Sequence, residues 1–523
     1  MNKHYENGLE LSQKMLKGIN ALADNVGSTL GPKGRNVALF HKEQNVPVVT
    51  KDGVTVAQFI EFDDPFENLG AQIVKQAAEQ SASNAGDGTT TATVLSRAII
   101  EKSQKYLASG ASPIEIKRGM DKACQTIIDK LRDTATPIRS EQDIRHVATI
   151  SANNDVSIGT LISTAVDAVG KDGGVLVEEA RSLKTSLDLI EGFRFDSGYV
   201  ASAFITNERT GTVEYEDPMI LVTDQKIENV DQILPTLELC ARESRPLLLI
   251  ANEIEGQALA ALIMNAVRGT MKVCAVKSPR YGEERRNIMK DLCLSIGATM
   301  ITREDSLRLK DVKLTHFGRA KSISLSKTWT TIVGGKGNRD NVEKQIQSLK
   351  NEIQQTDSLK ECERIQERIT RLASGIAVIR VGAATEVEMI EKKHRIDDAL
   401  EAVRSAQEMG IVSGGGSALI HVIKDLNIET DNDDQDLGAK IVLEACEAPL
   451  RQMCFNAGES PDLIVDMVKS SEPGEAYDFM SRKIIDTNEN GLLDPVKVTT
   501  CALENAVSVA STLITTNYAV VKN

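Results

Sequence analysis

The sequence predicts a multidomain α+β/α/β protein, mostly helical in its outer parts and α/β in its middle. Three observations lead there. The chain has 523 residues, beyond the size at which one core keeps growing, so about two to four domains are expected. Helical periodicity marks the outer parts, as in Phe66, Leu69, Ile73 and Ala77, whereas the middle carries short apolar runs such as Met219–Val222 and Leu247–Ile250. Glycine-bearing turns of one kind occur three times before residue 95 and once beyond 410. The two ends therefore belong to one discontinuous domain, and the middle is an insertion whose ends return to the same place.

From the N-terminus, Met1 to Glu10 carries charges and no apolar core, so it reads as no targeting segment. Leu11, Met15, Ile19, Leu22 and Val26 then form one helical face, and Thr29-Leu30-Gly31-Pro32-Lys33-Gly34-Arg35 stops that helix in a tight turn. Val48-Val49-Thr50-Lys51-Asp52-Gly53-Val54-Thr55-Val56 places two β-branched runs around Asp-Gly, which predicts a hairpin with Lys51 beside its turn.

Gly86-Asp87-Gly88-Thr89-Thr90-Thr91-Ala92-Thr93-Val94 reads as an anion cradle opening into a helix. Two glycines let backbone N–H groups approach an anion, three hydroxyls add donors, and Ala92, Val94, Leu95, Ala98 and Ile99 continue as an apolar face. Asp87 would repel phosphate unless a cation lay between, which argues for Mg²⁺. Asp and Thr also cap helices, and that structural reading stays open here. Ser413-Gly414-Gly415-Gly416-Ser417 is a second glycine turn entering an apolar helix, weak by itself. Residues 342–372, with Val342, Ile346, Leu349 and Ile353, a Thr356-Asp357-Ser358 break, then Leu359, Cys362, Ile365, Ile369 and Leu372, predict a helical hairpin. Its limbs are too short for a free-standing coiled coil, so packing onto its own domain is expected.

Bulk properties are those of a soluble globular protein, with 41% hydrophobic and 26% charged residues. With 61 basic and 75 acidic residues, the net charge of −14 argues against nucleic acid as a main partner. No apolar run spans a membrane, and a cytoplasmic location is expected. The eight cysteines are scattered without Cys-x-x-Cys or zinc spacing and read as reduced core residues.

TLGPKGRNV, TKDGV, GDGTTTATV, ISANND, VGAATEVEM, DDAL, GGGSALI, EAPLRQ, LLDP and LITT, in this order over essentially the whole chain, resemble segments of the group I chaperonins of the GroEL type. The resemblance implies an equatorial domain of 1–133 with 409–523, an intermediate domain of 134–190 with 376–408, and an apical domain of 191–375. Pro137, Gly192, Gly375 and Gly410 are then candidate hinges, though glycine at such points also ends helices and strands. It implies ATP, Mg²⁺ and K⁺ as cofactors. Thr29, Leu30, Gly31, Pro32, Lys51, Gly88, Thr89, Thr90 and Thr91 hold phosphate and nucleotide, Asp87 holds Mg²⁺, and Gly415 and Asp494 hold adenine and ribose. Asp398 orients the attacking water, with Asp52 as a second carboxylate nearby. Clients are met by Tyr199, Phe204, Leu234, Leu237, Leu259, Ile263 and Met264, although these spacings equally suit buried core.

The resemblance further implies an ATP-hydrolysing folding machine: a homo-oligomeric ring of seven subunits that binds unfolded client proteins and recruits a GroES-type lid co-chaperonin. Departures point to a diverged bacterial paralogue. Ala203 stands where the family has tyrosine, Ala201-Ser202 replaces Ser-Pro, Ser197 replaces an arginine whose expected partner Glu386 is retained, and Ser460 replaces a glutamate that contacts the opposite ring near Arg451. The chain ends Val520-Val521-Lys522-Asn523 without Gly-Gly-Met repeats. A double ring is thereby left open, and a binding or scaffolding ring with weak ATP cycling is the alternative.

Overall fold

The computed structural model describes residues 3–40, 47–170, 174–180, 182–208, 210–304, 308–355, 359–373, 375–424 and 426–522. The chain forms two compact units, one of residues 1–163 with 383–523 and one of 164–382.

The first unit is helical and is built from both chain ends. Its core gathers the helices Gly8–Gly27, Pro65–Ala85, Thr89–Ala108, Pro113–Thr134, Asp433–Ala445 and Val496–Ile514. Leu11, Met15, Ile19, Leu22 and Val26 are all buried, as their spacing predicts. Close backbone approach sets the packing. A Cβ on Gly18 would come 2.0 Å from the Glu67 carbonyl oxygen, and one on Gly119 would come 2.0 Å from that of Gln435. The strand Lys3–Asn7 pairs antiparallel with Tyr518–Lys522, so residues near the two ends of the chain meet in one ladder.

The hairpin expected around Asp52-Gly53 does not form. Pro47–Thr50 pairs instead with Val37–Phe40, and Asp52 caps the helix Gly53–Phe59, accepting from Val54 N at 3.0 Å and Thr55 N at 3.2 Å. Capping satisfies two helix-start amides, and burial of Val56 and Ala57 rewards the helix. Together these outweigh the β preference of Val54, Thr55 and Val56.

The second unit holds the α/β part. A four-stranded sheet runs Val273–Lys277, Leu247–Ala251, Met219–Val222, Gly318–Arg319, its first three strands parallel. Met219–Val222 and Leu247–Ala251 are buried along their whole length, as strands covered on both faces are. A six-stranded sheet runs Gly174–Glu179, Gly375–Val381, Ser186–Phe195, Thr330–Val333, Ser322–Leu325, Val213–Glu216.

The helices Arg339–Gln355 and Leu359–Ala373 pack through Leu349, Ile365 and Ile369, the predicted hairpin. Its Thr356-Asp357-Ser358 break lies outside the described residues. Arg368 grips buried Asp291 with two bonds of 2.8 and 2.9 Å, tying the hairpin to the helix Gly282–Ile296. All eight cysteines are free, six of them buried. No helix among the described residues is long and apolar enough to cross a membrane.

Candidate nucleotide site

The site lies wholly in the first unit, in a cavity of about 570 Å³. Its floor is the start of the helix Thr89–Ala108. Gly86 and Gly88 adopt φ of 75° and 88°, so the chain turns sharply between two helices and the first-turn amides of Thr89, Thr90 and Thr91 have no intrahelical carbonyl to meet. Asp87 does not cap this helix; the N-cap is Gly88, with no side-chain bond. Instead its Oδ1 accepts from Gly88 N at 2.6 Å and its Oδ2 from Ser151 Oγ at 3.2 Å. That decides the reading left open by the sequence, since a carboxylate held by a turn on the cavity wall is not a capping residue.

A second helix start converges on the first. A Cβ on Gly53 would lie 2.4 Å from Thr90 Oγ1 and 3.0 Å from Thr89 Oγ1, so only glycine lets the Asp52-headed helix come this close. Thr29 Oγ1 lies 3.5 Å from Thr90 Oγ1. The Lys51 ammonium donates to the Gly31 carbonyl at 3.0 Å, and Asn456 Nδ2 donates to those of Gly27 and Leu30 at 2.8 Å each. These bonds fix the Thr29–Pro32 turn against the cradle. At the other end of the cavity Gly415 and Gly416 have φ of 66° and 75°. The Ser417 hydroxyl closes that turn on the Gly414 carbonyl at 2.8 Å. Gly414 N donates to Leu492 O at 2.8 Å, which sets Asp494 beside the turn.

The fourth wall is the helix Glu386–Met409, which presents Glu391, His394, Arg395, Asp398 and Ala402 to the cavity at spacings of three and four. It is held down where Ser405 Oγ donates to Ala85 O at 2.7 Å, and where Gly86 lies under Glu401 so closely that a Cβ would come 2.1 Å from the Glu401 Cβ.

Every residue expected at the nucleotide, from Thr29 to Asp494, lines this one cavity, and so do Asp52, Asp87 and Asp398. Ser151, Asn153, Asn154, Arg395, Asp478 and Met480 line it too without having been singled out. The first three lie in the quoted ISANND segment. The spacing of 391, 394, 395, 398 and 402 was a helical signal that could have found the charged wall.

Burial shifts three of the charged groups that line the cavity. Burial pushes the Asp87 carboxyl above the usual range, against the bonds from Gly88 and Ser151, and Asp52 adds to the rise. Burial and then Asp87 push Asp494 up to about 7. Burial, and next Arg395, pull the Lys51 ammonium down. A cation entering here relieves two carboxylates at once. Among the described residues no three His, Cys, Asp or Glu side chains converge as a ready-made metal site.

The family follows from the whole length of the chain. Residues 22–523 match the model of the TCP-1/cpn60 chaperonin family. The chain belongs to that family. Among solved structures it is similar to the chaperonin gp146 from the bacteriophage EL 2 (Pseudomonas aeruginosa), crystallised in the presence of ATP-BeFx. Identity is 20%, 99% of each chain is covered, and the TM-score is 0.69. At that identity the likeness speaks for the chaperonin fold, in which a group I-type chaperonin is recognised.

The apolar residues expected to meet clients in this chaperonin divide into two sets. Leu234 and Met264 are 44% and 47% exposed, while Tyr199, Leu259 and Ile263 are half-buried against the second unit's core. Phe204 and Leu237 are 1% and 7% exposed and belong to that core, so neither offers the expected open surface. The physical reason is packing: Phe204 is the last residue of a one-turn 3₁₀ helix, Ser202–Phe204, and is its buried residue, and Leu237 lies on the inner face of Val230–Glu243 with Ile233 and Cys240. Exposed Val200 and Val267 flank the open set instead.

Of the hinge candidates, Pro137 follows the bridge Thr136↔Ile411, and Gly410, with φ of 86°, ends the Glu386–Met409 helix beside that bridge. Gly192 lies inside the strand Ser186–Phe195 and Gly375 opens Gly375–Val381, paired with Glu191. The candidates thus stand in two adjacent pairs. Arg451, near which the glutamate replaced by Ser460 was expected to contact a second ring, pairs within its own unit with Glu447 and Asp462.

Proposed function

We propose that this chaperonin binds and hydrolyses Mg-ATP in the cavity described, and uses the cycle to bind non-native proteins and promote their folding. The observation that carries the reading is that Asp52, Asp87 and Asp398 all line the one cavity into which two helix starts converge. A scaffold has no physical need to gather carboxylates where an anion would sit. The gp146 structure obtained with ATP-BeFx supports the same ligand class.

In this reading the amides and hydroxyls of Thr89–Thr91 hold phosphate oxygens, helped by the positive end of the helix dipole. Asp87 holds Mg²⁺, which neutralises charge on the phosphates when bound. Lys51 faces the phosphates, Gly415 and Asp494 hold base and ribose, and Asp398 orients water in line with the terminal phosphate. The equatorial, intermediate and apical boundaries at 133/134, 190/191, 375/376 and 408/409 are proposed with it. Pro137, Gly192, Gly375 and Gly410 are proposed hinges through which closure is coupled to the middle of the chain. Clients would meet Leu234, Leu259, Ile263 and Met264, with Tyr199 beside them, in a homo-oligomeric ring of seven subunits that a GroES-type lid closes.

A second reading, a binding or scaffolding ring with weak ATP cycling, is favoured by one observation: the burial of Phe204 and Leu237 reduces the apolar surface on offer. The test is refolding of a chemically denatured enzyme with this protein, with and without Mg-ATP and a lid protein. ATP-dependent recovery supports the machine. Suppression of aggregation that ignores ATP supports the scaffold and removes the folding cycle.

A further inference from the structure

Beside the cavity, two consecutive residues that are not glycine adopt left-handed backbone: Asn153 at φ 59° and Asn154 at φ 64°. They close the helix Glu141–Ser151, with Asn153 N donating to Ile150 O at 3.1 Å and Asn154 N to Thr149 O at 2.8 Å. Glycine is the residue this kind of cap ordinarily takes, because a Cβ is strained there. Both asparagines line the cavity and are exposed. Among the described residues neither side chain has a protein partner. Asparagine tolerates this backbone better than other residues with a Cβ, but the two side-chain amides make no bond within the described fold that would require them.

The flanks of the turn are fixed on both sides. Ser151, two residues before Asn153, donates to Asp87. Asp155, the residue after Asn154, accepts from Ser157 N at 3.0 Å and Ile158 N at 3.2 Å, and its other oxygen meets Arg395 at 3.4 Å. The turn thus spans the gap between the carboxylate at the phosphate floor and the helix that presents Asp398. Its two asparagines bring four hydrogen-bonding functions, two carbonyl oxygens and two NH₂ groups, to the lining of the cavity.

We propose that Asn153 and Asn154 position the terminal phosphate of a bound nucleoside triphosphate, their NH₂ groups donating to its oxygens and fixing it against Asp398. This rests on the Mg-ATP reading above and adds to it how a triphosphate is told from a diphosphate. The diphosphate ends short of the turn and leaves the asparagines without a ligand.

The experiment compares the unmodified chain with Asn153→Gly/Asn154→Gly, measuring affinity for Mg-ATP and Mg-ADP, turnover, and the thermal midpoint without nucleotide. Glycine suits the backbone, so the midpoint is expected to hold or rise. Mg-ADP affinity is expected within about twofold, while Mg-ATP affinity falls about tenfold and kcat falls by at least that factor, as for the loss of a hydrogen bond to a charged group. A merely structural turn moves only the midpoint; an ATP-to-ADP affinity ratio and kcat both within about twofold of the unmodified chain overturn the proposal. If the double glycine chain fails to fold, Asn153→Asp/Asn154→Asp keeps the shape and the left-handed preference but sets carboxylates against phosphate. An unchanged affinity ratio there overturns the proposal equally. Failure of the unmodified chain to bind Mg-ATP sinks the underlying reading, whereas normal behaviour of the unmodified chain with an indifferent variant sinks only the role of the asparagines.

Discussion

Adding one methyl group at Gly53 tests whether the site depends on the contact between two helix starts. A Cβ there would lie 2.4 Å from Thr90 Oγ1, 3.0 Å from Thr89 Oγ1 and 3.5 Å from Thr90 N. Non-bonded heavy atoms are at ease at roughly 3.5 Å, so about 1 Å of separation from the Thr90 hydroxyl must be found. Threonine in a helix has few χ1 choices, and the structure can respond in two ways. Either Thr90 rotates and takes its hydroxyl off the cavity, or the two helices part and widen the cradle. Overpacking of this kind costs about 1–3 kcal/mol, and alanine returns up to about 1 kcal/mol of helix propensity over glycine. The fold of Gly53→Ala should therefore survive. The ligand should fare worse, because losing one hydroxyl bond to a charged phosphate weakens affinity about tenfold to a hundredfold. Calorimetric titration with Mg-ATP, alongside thermal unfolding, reads both effects. Gly110→Ala is the control, since at φ 93° with nothing within 4 Å it carries strain but no clash. If Gly53→Ala binds Mg-ATP within about twofold of the unmodified chain, the close approach of the helices is not what builds the site.

Asp398→Ala should keep Mg-ATP affinity within about threefold while slowing single-turnover hydrolysis by about a hundredfold or more, the usual scale for a positioned acid–base group; unchanged single-turnover hydrolysis removes the assignment. Asp87→Ala should instead weaken Mg-ATP binding itself, read as a loss of the magnesium dependence of affinity. Arg368→Ala leaves the Asp291 carboxylate, 2% exposed, without its partner, and should cost about 3–5 kcal/mol locally. Hydrogen exchange across 339–373 and 282–296 would show it, and unaltered protection in both segments refutes it. Glu447 is pushed up by burial but held below the usual carboxylate range overall by the Lys469 and Arg451 bonds at 2.5 and 2.9 Å. A carboxyl depressed in the folded state stabilises above its unfolded pKa and loses that contribution as pH falls through the folded one. Glu447→Gln should therefore cost about 1–3 kcal/mol at neutral pH, with the gap closing below about pH 4 in denaturant titrations. A gap independent of pH would contradict the ion pair's role.

Much of the fold and the site floor was legible because glycine writes its constraint into the sequence. Gly86, Gly88, Gly415 and Gly416 all carry the positive φ their turns require, and a residue type that is needed for one backbone shape can be read without coordinates. The helix Gly8–Gly27 was equally plain, since its five apolar residues repeat at helical spacing and all are buried. Val54, Thr55 and Val56 misled for an opposite reason. Their strand preference is a side-chain average, whereas the Asp52 cap that overrode it is one specific arrangement of two amides and a carboxylate. Asn153 and Asn154 were illegible as site residues because a left-handed turn has no periodicity and asparagine is common in loops. Phe204 and Leu237 show the limit from the other side: spacing says which side chains share a face, and nothing in it says whether that face is covered.

The carboxylates around the cavity are not interchangeable, and the difference bears on what each can do. Asp52 spends both oxygens on its own helix, on Val54 N, Thr55 N and the Thr55 hydroxyl at 2.6 Å, so it acts as a fixed charge whose removal also loosens a wall. Asp87 spends itself on a turn and one serine and sits where burial makes its charge costly, which is the condition under which a divalent cation is gained most readily. Asp398 is carried on a long helix that belongs to the return pass of the chain, after the whole insertion has been traversed. If Asp398 directs water and Asp87 holds the cation, as proposed, the middle of the sequence separates two halves of one chemical site.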